Sequence, residues 1–162
     1  MVPFADQRLD TCTLTDIITP LEEAVRDVQP DVVYCQFGGD VNRDHAVLFQ
    51  AVLVATRPTV TDLQAVFAFD TASSTEWAYP RAFTPDTWVD ITDTLDTKLA
   101  SIRCYETQFP PTKAHVLERV RAFALQQGQA AGFAAGELFA TARMIGTRDL
   151  MPYHHNPAYS KQ

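Results

Sequence analysis

The sequence predicts an α/β domain with a parallel sheet flanked by helices, on three observations. Residues 32–35, Val-Val-Tyr-Cys, form a continuous apolar and β-branched run of the kind that a parallel sheet covers on both faces. Residues 44–55 then read as a helix that is apolar nearly all round, and so largely buried. A second strand-like run, Leu-Gln-Ala-Val-Phe-Ala-Phe at 63–69, follows that helix and restores the alternation of strand and helix.

Composition narrows the function classes. With 162 residues and 46% hydrophobic content, the chain is expected to form one domain over 1–150 with its own core, followed by a mobile tail at 151–162. A formal charge of -7 argues against nucleic acid or an anionic membrane surface as partner, since such binders carry a basic footprint. Cys12, Cys35 and Cys104 are odd in number, far apart and free of any Cys-x-x-Cys pair, so they predict small buried hydrophobes in a reducing compartment rather than disulfides or a zinc knuckle. The first ten residues have no basic or apolar leader pattern, and the longest apolar stretch, 46–55, is interrupted by Gln50 and too short to span a bilayer. The expected location is the cytoplasm.

In chain order, residues 19–22, Thr-Pro-Leu-Glu, read as a capping box opening a helix to about Val28, with Pro30 marking its end. The strand 31–36 leads into a polar turn and then into the buried helix, whose first charged residue, Asp44, reads as its cap. After the strand at 63–69 comes a long polar loop, 70–80, in which Trp77 and Tyr79 read as a hydrophobic plug, or else as a platform for a sugar ring. A short strand at 88–91 precedes an amphipathic helix carrying Leu95, Leu99 and Ile102. Pro110 and Pro111 break the chain, and a helix over about 113–127 places Val116, Val120, Phe123 and Ala124 on one face. Gly128 to Gly136 reads as the end of that helix and a small-residue connection, and 137–145 is compatible with strand or helix.

The turn at 38–45, Gly-Gly-Asp-Val-Asn-Arg-Asp-His, concentrates the chemistry, because it joins strand to helix where open parallel sheets bind ligands. Its aspartates and asparagine also read as turn formers, and His45 as a helix-start histidine. With Ser-Ser-Thr-Glu-Trp at 73–77, Val-Asp-Ile at 89–91, Lys98, and the turn Phe-Ala-Asp-Gln-Arg-Leu at 4–9, it resembles in order and spacing the C-terminal two thirds of the PIG-L/LmbE-like N-deacetylases.

That resemblance implies a Rossmann-like, LmbE-like sheet and a zinc-dependent hydrolase that removes the N-acetyl group of an N-acetylglucosamine-type amino sugar. It implies His45 as a metal ligand and Asp44 as the neighbouring carboxylate of the catalytic set. Asp6, Asp40 and Asn42 would face the substrate, Asn42 standing where several members have an oxyanion-stabilising histidine. The family's His-Pro-Asp-Asp-Glu motif, source of its other two ligands and its general base, occurs nowhere in this chain. A catalytic zinc takes three protein ligands and an open position. The expectation is therefore that the N-terminal strands are missing, that Met1 is an internal start, a fragment boundary or half of a split protein, and that the strand at 32–35 is an exposed edge. That edge would accept a complementing chain or a second copy. The alternative reading is a non-catalytic remnant or interaction module that cannot hold the metal alone.

Overall fold

The computed structural model of the chain describes residues 4–59, 63–72 and 74–145. Ser73 and the expected tail, with His154 and His155, lie outside the described residues.

Helix α1, Leu14–Val28, begins five residues before the predicted capping box and takes Pro20 into its interior. Pro20 has no N–H for the helix ladder, a loss that ordinarily ends a helix. The deciding factor is burial: Ile17 lies in the turn ahead of the proline and is almost completely covered, and the helix runs along α2, Arg43–Ala55. Thr19, expected as the cap, instead donates its hydroxyl to the Thr15 carbonyl within the helix. The C-terminus follows the prediction, with Gln29 in the left-handed region ahead of Pro30.

Strand β1, Val32–Gln36, pairs in parallel with β2, Ala65–Phe69, from Val32 against Ala65 to Gln36 against Phe69. Cys35, Val52, Leu63 and Val66 form a core between these strands and α2, with Leu21 of α1 and Phe49 of α2 packed on it. Full coverage of β1 on both faces, as expected from its apolar run, is not what the fold provides. Tyr34 is 55% exposed, with the Phe67 ring stacked 5.8 Å away, and β1 stands at the end of the sheet order.

The four strands form one sheet in the order β1-β2-β4-β3, where β3 is Thr87–Asp90 and β4 is Gly136–Met144. The α/β class is as predicted, but the sheet is mixed: β3 and β4 are antiparallel, Thr87 lying against Phe139 and Asp90 against Gly136. Residues 137–145, which the pattern left undecided, are largely strand.

Contacts divide the chain into two compact units, one running to Phe83 and resuming at Thr141, the other Thr84–Ala140. In the second, Ile91, Leu95, Leu99, Leu117, Ala124 and Ala135 form a separate core from α3, Leu95–Arg103, α4, Ala114–Ala131, and the segment before β4. Helix α4 continues past Gly128, contrary to expectation, and this glycine packs tightly against the chain that follows the helix: a Cβ there would lie 2.6 Å from the Ala135 backbone. Its buried face is Leu117, Ala124 and Gly128, with Val120 partly covered, whereas Phe123 is exposed. Lys98 meets Glu137 at 2.5 Å within this unit.

Candidate functional site

The turn between β1 and α2 and the loop after β2 both leave the sheet at the C-terminal ends of parallel strands, and the main chain joins them there through the Phe37 N–H and the Phe69 carbonyl at 3.0 Å. Everything described next belongs to the first unit.

Asn42 is the cap of α2: its Oδ1 accepts the Asp44 N–H at 2.9 Å. Asp44, predicted as the cap, sits one residue inside the helix, and the reason is the preceding Asp40. The Asp40 Oδ1 accepts the Asn42 N–H at 2.8 Å, closing an Asx turn that sets Asn42 in the extended conformation a cap requires. Because the capping atom must be the amide oxygen, the Asn42 NH2 is left as the donor end of that side chain.

The Asp40 side chain is 0% exposed. Its Oδ2 receives the hydroxyls of Ser74 and Thr75, each at 2.8 Å, and faces the His45 Nδ1 at 3.2 Å. That last contact is at ion-pair distance but not in hydrogen-bond geometry, and the buried Nδ1 has no hydrogen-bond partner among the described residues. Burial pushes the Asp40 carboxyl up, but the hydrogen bonds from Asn42, Thr75 and Ser74, with the imidazole of His45 beside it, outweigh it and hold it below the ordinary aspartate value. It is an ionised carboxylate, sealed under a loop. Asp40, which the resemblance led us to expect facing the substrate, lies against His45 with both carboxylate oxygens engaged.

His45, in the first turn of α2, is 17% exposed. Its Nδ1 is buried against Asp40, so the exposed part of the ring is elsewhere, and Nε2 is the nitrogen left for a ligand or a proton. A carboxylate behind an imidazole is the arrangement that orients metal-ligating histidines and fixes their tautomer.

Asp44, expected in the catalytic set, accepts the Leu9 N–H through Oδ1 at 2.9 Å. It thereby ties the 3-10 turn Leu9–Thr11 to the start of α2. Asp6 is exposed, on the turn just before that segment. Trp77 and Tyr79 do not form a plug: they are 72% and 98% exposed, while their neighbours Thr75 and Ala78 are buried and anchor the loop. Sequence reasoning marked the segment 73–77 as part of the resemblance but gave Ser74 and Thr75 no role in the site, since a hydroxyl in a polar loop has no periodicity to mark it. The signals available were that motif and their place in the segment following a strand end.

The donor set can be tested against the zinc that the resemblance implies. His45 fits as one ligand, but among the described residues no group of three His, Cys, Asp or Glu side chains stands together. The described residues therefore do not complete the three-ligand centre that a catalytic zinc needs.

Neither a protein-family profile nor a curated protein matches the chain. Among solved structures it is similar to a conserved protein of Thermus thermophilus, with TM-score 0.69 and 19% identity over 93% of this chain and 67% of that one. It is similar to GalB, the 4-carboxy-2-hydroxymuconate hydratase of Pseudomonas putida, with TM-score 0.66 and 24% identity over 85% of this chain and 62% of that one. It is also similar to the N,N'-diacetylchitobiose deacetylase of Pyrococcus horikoshii, with TM-score 0.65 and 21% identity over 95% of this chain and 58% of that one. At these identities the likeness shows the fold, which is LmbE-like. The chain spans less than two thirds of the length of the hydratase and of the deacetylase.

Proposed function

We propose that this chain carries one side of the site of a zinc-dependent hydrolase that removes the N-acetyl group of an N-acetylglucosamine-type substrate. The observation that carries the reading is the buried Asp40 behind His45 at the strand ends of a fold shared with a diacetylchitobiose deacetylase. In this reading His45 presents Nε2 to the metal, Asp40 holds the ring, and the Asn42 NH2 is the donor for the amide oxygen as negative charge develops on it. Asp44 shapes the site by fixing the segment that carries Asp6. Two further metal donors are required from outside the described residues, whether in the same polypeptide or a second one.

The test is acetate release from N-acetylated amino sugars with zinc present, by the chain alone and co-expressed with a segment bearing His-Pro-Asp-Asp-Glu. Activity in the second preparation that is lost in His45→Ala supports the reading. Absence of acetate release from both, with the two polypeptides shown to associate, overturns it.

A second reading, an interaction module without catalysis, is favoured by the terminal position of β1 and the exposure of Tyr34. It predicts association through that edge and no dependence of any property on His45.

A further inference from the structure

We infer that Trp77 is the stacking platform for a pyranose ring of the substrate, and Tyr79 the surface for the ring beyond it. The inference deepens the reading above by giving the substrate its shape, and rests on that reading for the reaction carried out on it.

The loop after β2 is fastened at both of its ends to the turn that precedes α2. Near its start the Ser74 and Thr75 hydroxyls each donate to the Asp40 Oδ2 at 2.8 Å. At its far end the Phe83 ring stands edge-on to Phe37, with centroids 5.2 Å apart. The first attachment is itself stiff. The Thr71 N–H donates to the Thr75 Oγ1 at 2.7 Å, and the Thr71 carbonyl accepts the N–H groups of Ser74 and Thr75 at 3.1 and 3.0 Å. The 3-10 turn Thr75–Trp77 continues directly from these residues. Its Trp77 N–H donates to the Ser74 carbonyl, and the Ala78 N–H to that of Thr75, each at 3.2 Å.

A large aromatic in a loop commonly supplies the loop's attachment by burying its ring. Here two hydroxyls and Phe83 supply it, and Trp77 and Tyr79 are left in water. Ala78 between them is extended and buried, so the chain turns its small residue inward and the rings on either side of it outward. Across one extended residue their Cα atoms stand about 6–7 Å apart. The main chain holding Trp77 is thus fixed to the carboxylate that lies against His45, while the indole is free to meet a ligand.

The exposure itself selects the kind of ligand. An apolar molecule gains most from a closed pocket that removes its whole surface from water. A pyranose has one face of weakly positive C–H groups, which suits the negative face of an indole, and hydroxyls at its rim that remain hydrated. Indole and phenol rings also lose few torsions when they are covered.

The experiment follows the two indole N–H signals of the 15N-labelled chain, from Trp77 and Trp88, during titration with N-acetylglucosamine and with N,N'-diacetylchitobiose. Trp77→Phe identifies the Trp77 signal by its loss. That signal is expected to move saturably, and the Trp88 signal to stay. By calorimetry, Trp77→Ala is expected to weaken the binding of both sugars about tenfold, the scale of one lost aromatic stack, and Trp77→Phe to recover part of the loss. Tyr79→Ala is expected to weaken the disaccharide and leave the monosaccharide unchanged. Both side chains are exposed, so these variants are expected to fold. A Trp77 signal that responds to neither sugar, or that moves with protein concentration instead, overturns the inference, as does an unchanged affinity in Trp77→Ala. Sugar binding through Trp77 without acetate release by the complemented preparation counts against the proposed function alone. Acetate release with the same KM in Trp77→Ala counts against this inference alone.

Discussion

Asp40 concentrates the consequences that single side chains have in this protein. Its carboxyl is held below the ordinary value of 3.8 by bonds that outweigh burial, so the unfolded chain binds the proton more readily than the folded one. The sign follows: its contribution to stability is complete well above pH 3.8 and is lost as the pH falls below that value toward the folded pKa. Asp40→Asn is expected to lower stability at neutral pH by about 1–3 kcal/mol and to flatten the acid limb of the stability profile, as measured by urea unfolding across the pH range. The cysteines divide in a way their spacing did not foretell. Burial pushes the Cys35 thiol up to about 11, while Cys104 is exposed and Cys12 is partly so. Mass-spectrometric mapping after brief iodoacetamide treatment of the native chain is expected to find Cys104 modified first and Cys35 last.

Among the elements, α4 shows how packing overrides composition. Gly128 reads as a terminator because glycine costs a helix about 1 kcal/mol relative to alanine. Yet it lies inside α4 at the point of closest approach to the Ala135 backbone, and a further glycine, Gly136, faces it across that contact. Gly128→Ala would gain helix propensity and lose more by overpacking, since the atoms it meets are main chain and cannot swing away. The expected outcome is a net destabilisation of about 1–3 kcal/mol by thermal unfolding, opposite in sign to the propensity prediction. Helix α2 is closed by a different device: Arg143 of β4 donates to the carbonyls of Thr56 at 2.5 Å and Leu53 at 3.0 Å, occupying the acceptors that a helix C-terminus leaves open. The helix that carries His45 is thus held at both ends, by Asn42 and Asp40 at one and by Arg143 at the other.

For the molecule as a whole, the sheet order places β1 last, and with Tyr34 turned outward the strand presents main-chain groups and apolar surface together. Such an edge invites pairing, and a lysine on it is a common means of prevention. Self-association that increases with concentration is the expected behaviour of the isolated chain, and Tyr34→Lys is expected to reduce it, as read by sedimentation velocity. No described helix is long and apolar enough to cross a membrane. The neighbours of known structure extend well beyond the length matched by this chain; of the deacetylase it covers 58%.

Much was legible from the amino acids alone. The runs at 32–35 and 63–69 and the apolar helix between them predicted α/β, and β-branched strands and apolar helices declare themselves through local periodicity. The turn at 38–45 was marked by polar residues in a strand-to-helix junction, which is also a local property. What could not be read locally was decided by contacts between distant segments. Burial of Ile17, and the packing of Leu21 on the core shared by α2 and the parallel strands, carried α1 through Pro20, and the bonds from Ser74 and Thr75 turned Asp40 from a surface carboxylate into a buried one. The antiparallel return of β4 on β3 likewise depends on pairing between segments far apart in the chain. A sequence displays the pattern of each segment, but which polar groups end up without water, and so must find each other, is settled only when the segments pack.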